Sequence, residues 1–92
     1  MRLERTQRGF GIIRFKDEYN VNCSLQKSSI ATKQCIWLGC DEANPRVCIR
    51  GKGWQKIDLP QDTACDTRMH LTRKQVFNLL PILIKFVLVG RL

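Results

Sequence analysis

Two short stretches hold most of the side chains that could bind or react: "KSSIATK" at Lys27–Lys33 and "RMH" at Arg68–His70. Hydroxyls, loop amides and ammonium groups are donors suited to phosphate or carboxylate oxygens. Arg68 and His70 are two residues apart, so a strand puts them on one face and sends Met69 and Leu71 to the other, toward a core. A helix start follows directly, and its free amides and dipole favour anions. Arg73 and Lys74 add positive charge at that end. Together these residues read as one anion- or partner-binding site: Lys27, Ser28, Ser29, Thr32, Arg68 and His70. The plainer alternative has Ser28 and Ser29 capping a short helical turn at Ile30 and Ala31, with Arg68 and His70 on a solvated basic face.

A second constellation is "RVCIRGKGWQK", where Arg46, Arg50, Lys52 and Lys56 surround Trp54 with no acidic residue among them. Basic groups around an aromatic on a Gly-flanked ribbon suit phosphate tracking with base stacking, which makes this the candidate nucleic-acid-binding surface. The commoner outcome for such a ribbon is a core Trp54 with lysines snorkelling around it. Trp37, inside the apolar run "CIWLGC", reads as core.

The cysteines do not read as a metal site. Zinc knuckles use close C-x₂₋₄-C pairs. The gaps between Cys23, Cys35, Cys40, Cys48 and Cys65 include no CxxC. Cys23 falls on the apolar face of an alternating strand, where a thiol behaves as a small hydrophobe. General acid–base or nucleophilic chemistry needs a base held by a second group, and His70 is the only histidine. The chain lacks a P-loop, a GxSxG elbow and an HExxH pair. The expectation is a protein with no catalytic residues, metal or cofactor; a cysteine enzyme would need a thiol of lowered pKa.

The totals agree with a binding role. Ninety-two residues carry sixteen basic and eight acidic side chains, a net charge of +8. That excess favours nucleic acid, phosphorylated ligands or an acidic protein face. "MRLERTQRGF" lacks an apolar signal region, and the C-terminal apolar run is interrupted by Lys85 and shorter than the ~20 residues of a membrane span. The expected location is therefore cytoplasmic, where the cysteines stay reduced.

Residues 1–8, with Arg2, Arg5 and Arg8, read as a flexible basic arm before a single domain over 9–92. Gly9–Lys16 and Val21–Leu25 alternate apolar and polar residues and pair as a hairpin around "DEYN". Cys35–Cys40 is a central strand, Val47–Arg50 and Trp54–Leu59 form a second hairpin around "GKG", and Arg68–Leu71 is a short strand. Thr72 and Gln75 form a capping box, Leu71 and Val76 a hydrophobic staple, and Gly90 a C-terminal stop, so Arg73–Val89 is helical. Pro81 should kink it. One stripe, Val76, Leu79, Leu80, Leu83 and Val87, can cover a sheet. A second, Phe77, Ile84 and Leu88, is left over and is the candidate homodimer interface. The expected fold is α+β: a mainly antiparallel sheet of about four to six strands packed by one C-terminal helix.

The strings "RGFGIIRFKDEYNVNCSLQKSS", "IWLG" and "TRMHLTRKQVFNLLPILIKFV" resemble a group of small bacteriophage and prophage proteins, over roughly Arg8 to Leu92. The resemblance implies a phage accessory protein acting in the bacterial host cytoplasm. Its type implies a non-catalytic binding protein, such as a counter-defence, anti-CRISPR-like inhibitor of a host protein or ribonucleoprotein. Two alternatives stand beside it: a nucleic-acid-binding accessory protein and a sponge for a nucleotide messenger.

Overall fold

Asp17 closes the first hairpin through its own side chain. Its Oδ1 accepts the backbone N–H groups of Tyr19 and Val21, both at 2.9 Å, and Asn20 takes φ 64°. Asx chemistry of this kind offers the chain a turn in place of a strand ladder. The computed structural model, which describes residues 1–92, builds a five-stranded antiparallel sheet around that hairpin. Its strands are β1 (Leu3–Arg5), β2 (Gly11–Lys16), β3 (Asn22–Lys27), β4 (Cys35–Cys40) and β7 (Arg68–Thr72), ordered β1-β2-β3-β4-β7. The strands β5 (Arg46–Ile49) and β6 (Gly53–Lys56) pair only with each other. Helix α1 (Arg73–Val89) follows β7 directly. The α+β class expected from the sequence is the class observed.

The N-terminal residues depart from the expected loose arm. Leu3–Arg5 pairs with Gly11–Ile13 as the edge strand β1, closed by a turn in which Gly9 has φ +87°. Thr6 stabilises that turn twice, accepting Gly9 N–H at its carbonyl and Phe10 N–H at Oγ1. The run from Ser28 to Gln34 contains no helical turn; it crosses between β3 and β4 as bends.

Register assigns two chemically different faces. Ile12, Gln26, Trp37 and His70 stand opposite one another across four strands, as do Arg14, Ser24, Gly39 and Arg68. This is the polar face. The other carries Ile13, Phe15, Leu25, Ile36, Leu38 and Met69. Burial is concentrated on the polar side. Ile12, Ser24, Ser28 and Cys35 are buried there, whereas Cys23 is the one buried residue on the apolar side. Met69 was expected to plug a core; it keeps to the apolar face but is 56% exposed, because no layer covers that face.

The helix has the expected ends. Thr72 Oγ1 accepts Gln75 N–H, Gln75 Oε1 accepts Thr72 N–H, and Gly90 closes the C-terminus in the left-handed region. It runs unbroken through Pro81. Its first turns meet the sheet around a cleft of about 400 Å³ lined by Ile36, Leu71, Val76, Phe77 and Leu80, among others. No residue of α1 is buried, and Val76 alone is half-buried. The helix is 17 residues long and is not long and apolar enough to cross a membrane.

Candidate functional site

The polar face gathers its side chains at the β4–β7 edge. Trp37 and His70 are register partners, and their rings stack in parallel, centroids 3.9 Å apart and 5° from coplanar. His70 Nε2 lies 2.8 Å from Ser28 Oγ. Ser28 is only 4% exposed, and its Oγ also accepts the Ile30 N–H, so one hydroxyl ties the start of the loop to the imidazole. Arg68 lies 5.5 Å from the centroid of Trp37 and donates from Nη1 to Gln26 Oε1 at 3.0 Å. A guanidinium over a ring gains from the quadrupole and keeps its remaining N–H donors for a partner.

Sheet geometry explains why these groups meet. Arg68 and His70 share a face by the two-residue period, as the sequence indicated, and β4 brings Trp37 and Gly39 opposite them. Gly39 admits the close approach of β7. A Cβ there would lie 2.5 Å from the Thr67 carbonyl oxygen and 2.8 Å from Arg68 Cα. Thr67 also donates from Oγ1 to the Cys40 carbonyl at 2.6 Å, fixing the entry to β7.

Of the six residues read as one anion or partner site, folding joins three: Ser28, Arg68 and His70. Lys27 falls on the opposite face, beside Ile36 and Leu71, with Nζ 3.5 Å from the Cys35 carbonyl. Ser29 and Thr32 are exposed in the loop. Trp37 and Gln26 belong to the site but were missed. Trp37 reads as core because its run is apolar, yet strand parity puts it opposite His70. That pairing follows from the β4–β7 register, with Gly39 opposite Arg68, which no local signal in the sequence marks.

The second candidate surface is open. Arg46, Cys48, Trp54 and Lys56 share one face of the β5–β6 hairpin. Trp54 is 69% exposed rather than a core residue, since neither sheet nor helix packs on the hairpin, and Arg46 and Trp54 line a shallow recess of about 260 Å³. Arg50 and Lys52 lie in the exposed turn. The candidate dimer residues Phe77, Ile84 and Leu88 are all exposed along α1.

Folding also draws together Asp17, Cys23 and Cys40, whose ligand atoms all lie within 4.8 Å of one another. The cysteines are direct cross-strand neighbours, 3.8 Å between sulfurs. Metal ligation needs thiolates. Burial pushes the Cys23 thiol up, and the Cys40 thiol and the charges of Asp17 and Asp41 add to the shift. Asp17 Oδ1 already serves two backbone amides. The arrangement is that of a cross-strand thiol pair, in which the one Cys23 S–H has Cys40 Sγ and the Val21 carbonyl as alternative acceptors.

The buried Ser28 hydroxyl holds the imidazole in position against Trp37, and the Arg68 guanidinium lies beside the same aromatic plane. Such a face can take a planar, anionic ligand, with the rings supplying a stacking surface and Arg68 a phosphate or carboxylate contact. No protein-family model, curated protein or solved structure matches the chain.

Proposed function

We propose that this chain is a non-catalytic binding protein that recognises the exposed nucleic acid of a host ribonucleoprotein. The observation that carries the reading is the Ser28–His70–Trp37–Arg68 arrangement, an aromatic stack bracketed by a tethered imidazole and a guanidinium. The net charge of +8 supports an anionic partner. Phage origin, action in the bacterial cytoplasm and a counter-defence role rest on the resemblance of "CSLQKSS" and "RMHLT" to phage proteins alone.

A second reading, a nucleic-acid-binding accessory protein, is favoured by exposed Trp54 beside Arg46 and Lys56 on the hairpin. Stacking a base on an exposed aromatic is worth about 1–3 kcal/mol.

Fluorescence anisotropy with single-stranded RNA and DNA separates these readings. The log of the affinity should fall linearly with the log of salt concentration. Arg68→Ala should weaken binding roughly tenfold, the loss of one charge-assisted contact of about 1.4 kcal/mol. If the hairpin is the main surface, Trp54→Ala carries the loss and Arg68→Ala does not. A flat salt response, or partner capture unchanged after nuclease treatment, removes the nucleic-acid reading.

A further inference from the structure

We propose that the protein is a reciprocal homodimer, in which helix α1 of each copy lies across the apolar sheet face of the other. The proposal stands on the apolar surfaces and does not depend on what the polar face binds.

The starting point is a connection without a loop. β7 ends at Thr72 and α1 begins at Arg73, with Thr72 itself the N-cap. Connections between a strand and a helix packed back on its sheet commonly take about 2–6 residues to reverse direction. Here there are none, and the capping box fixes the direction of departure. The helix therefore leaves the sheet edge after touching Ile36 and Leu71 with its first turns. It cannot fold back over Leu25 and Leu38 without dismantling its own cap.

Two surfaces of one chemistry are consequently left open. Along α1, every apolar residue from Phe77 to Val89 is exposed, Val87 to 81%. On the sheet, Ile13, Phe15, Leu25, Ile36 and Leu38 are only half-buried and Met69 is exposed, so Cys23 is the one fully buried residue of the apolar face. Each surface is what the other needs, and the sizes agree. A 17-residue helix is about 25 Å long at 1.5 Å per residue, and five strands span about 19 Å between outer axes.

The area selects a second copy as the occupant. The chain exposes 8333 Å², against about 5,500 Å² for a folded monomer of this mass. The excess, about 2,800 Å² per copy or about 5,600 Å² for a pair, reaches the upper end of the total area that obligate homodimers bury. Exchange about a two-fold axis covers helix and sheet face at once, because the same contact is made twice. A helix-to-helix dimer would leave the sheet faces open, and a foreign partner would have to supply both an apolar helix and an apolar sheet. In the exchanged dimer both polar faces, each with its Ser28–His70–Trp37–Arg68 group, point outward.

The test is sedimentation equilibrium of the full chain, followed by photo-crosslinking. The expected mass is twice the 10.7 kDa of one chain, down to low micromolar concentration. With a photoreactive amino acid replacing Phe86, and heavy- and light-isotope copies mixed, crosslinked peptides should join α1 of one copy to β3 or β4 of the other. Ile84→Glu should halve the mass or unfold the chain. On a solvent-facing helix it would leave mass and circular dichroism unchanged, and that result overturns the proposal. A monomer at all concentrations overturns it as well and assigns the faces to a heterologous partner. Crosslinks confined to helix–helix pairs overturn the exchange.

Discussion

Cys23 and Trp37 show how a single position takes its chemistry from its cross-strand neighbour. Cys23 sits opposite Cys40 at a pair that exchanges no ladder bonds, since the Asp41 N–H goes to the Asn22 carbonyl one step along. Side chains approach most closely at such pairs, which is why the sulfurs meet. Burial and nearby acids keep the Cys23 proton on above the ordinary thiol value of 9.0. The unfolded chain loses this proton first as pH rises, so the folded state binds more protons above that value. The contribution of Cys23 to stability is therefore whole below about pH 9 and falls as pH climbs toward the raised folded value. Denaturation midpoints should drop above pH 9 in the native chain and drop less in Cys23→Ala. Iodoacetamide at pH 8 should label exposed Cys48 and Cys65 well before Cys23; equal rates at all five thiols would contradict the burial argument.

At the scale of elements, the β4–β7 pairing decides whether the site exists. Gly39 has φ +148° and lies against the β7 backbone. A methyl group there meets backbone atoms, which cannot move aside as a flexible side chain could. Gly39→Ala should cost at least about 2 kcal/mol in urea denaturation, from overpacking and backbone strain together. It should also pull Arg68 from Trp37, detectable as a change in tryptophan fluorescence. Unchanged stability and emission would mean that the two strands are not held this closely. The loop joins the same assembly through Ser28 and through Arg73, whose Nη1 donates to Gln34 Oε1 at 3.0 Å. One end of the loop is thus bound to the stack and the other to the helix start.

At the scale of the whole molecule, the structure is expanded. The radius of gyration is 16.6 Å, against about 12 Å for a compact chain of this length. The buried hydrophobic residues are Ile12, Cys23 and Cys35. So small a core cannot offset the backbone entropy of ordering the chain, which runs to about 1–2 kcal/mol per residue. Stability should then be borrowed from association. The melting temperature should rise with protein concentration across the micromolar range, as mass action requires of a dimer that unfolds to monomers. A melting temperature constant over a hundredfold range of concentration would count against it.

The amino-acid order alone determined the elements whose codes are local. Alternation placed β2 and β3, the Gly-bracketed turn placed the second hairpin, and Thr72, Gln75 and Gly90 fixed both ends of α1, because caps and turns satisfy backbone groups within a few residues. The shared face of Arg68 and His70 was legible for the same reason: strand parity needs no distant partner. Which residues stand across from that face was not legible. Register between β3, β4 and β7 is a non-local choice, and it brought Ser28, Gln26 and Trp37 to Arg68 and His70 while sending Lys27 to the other side. The destination of the helix was equally hidden. Its two apolar stripes and the direct strand-to-helix junction at Thr72 are plain in the sequence, but the direction in which the capped helix leaves the β7 edge, which keeps the stripes off their own sheet, is decided only in space.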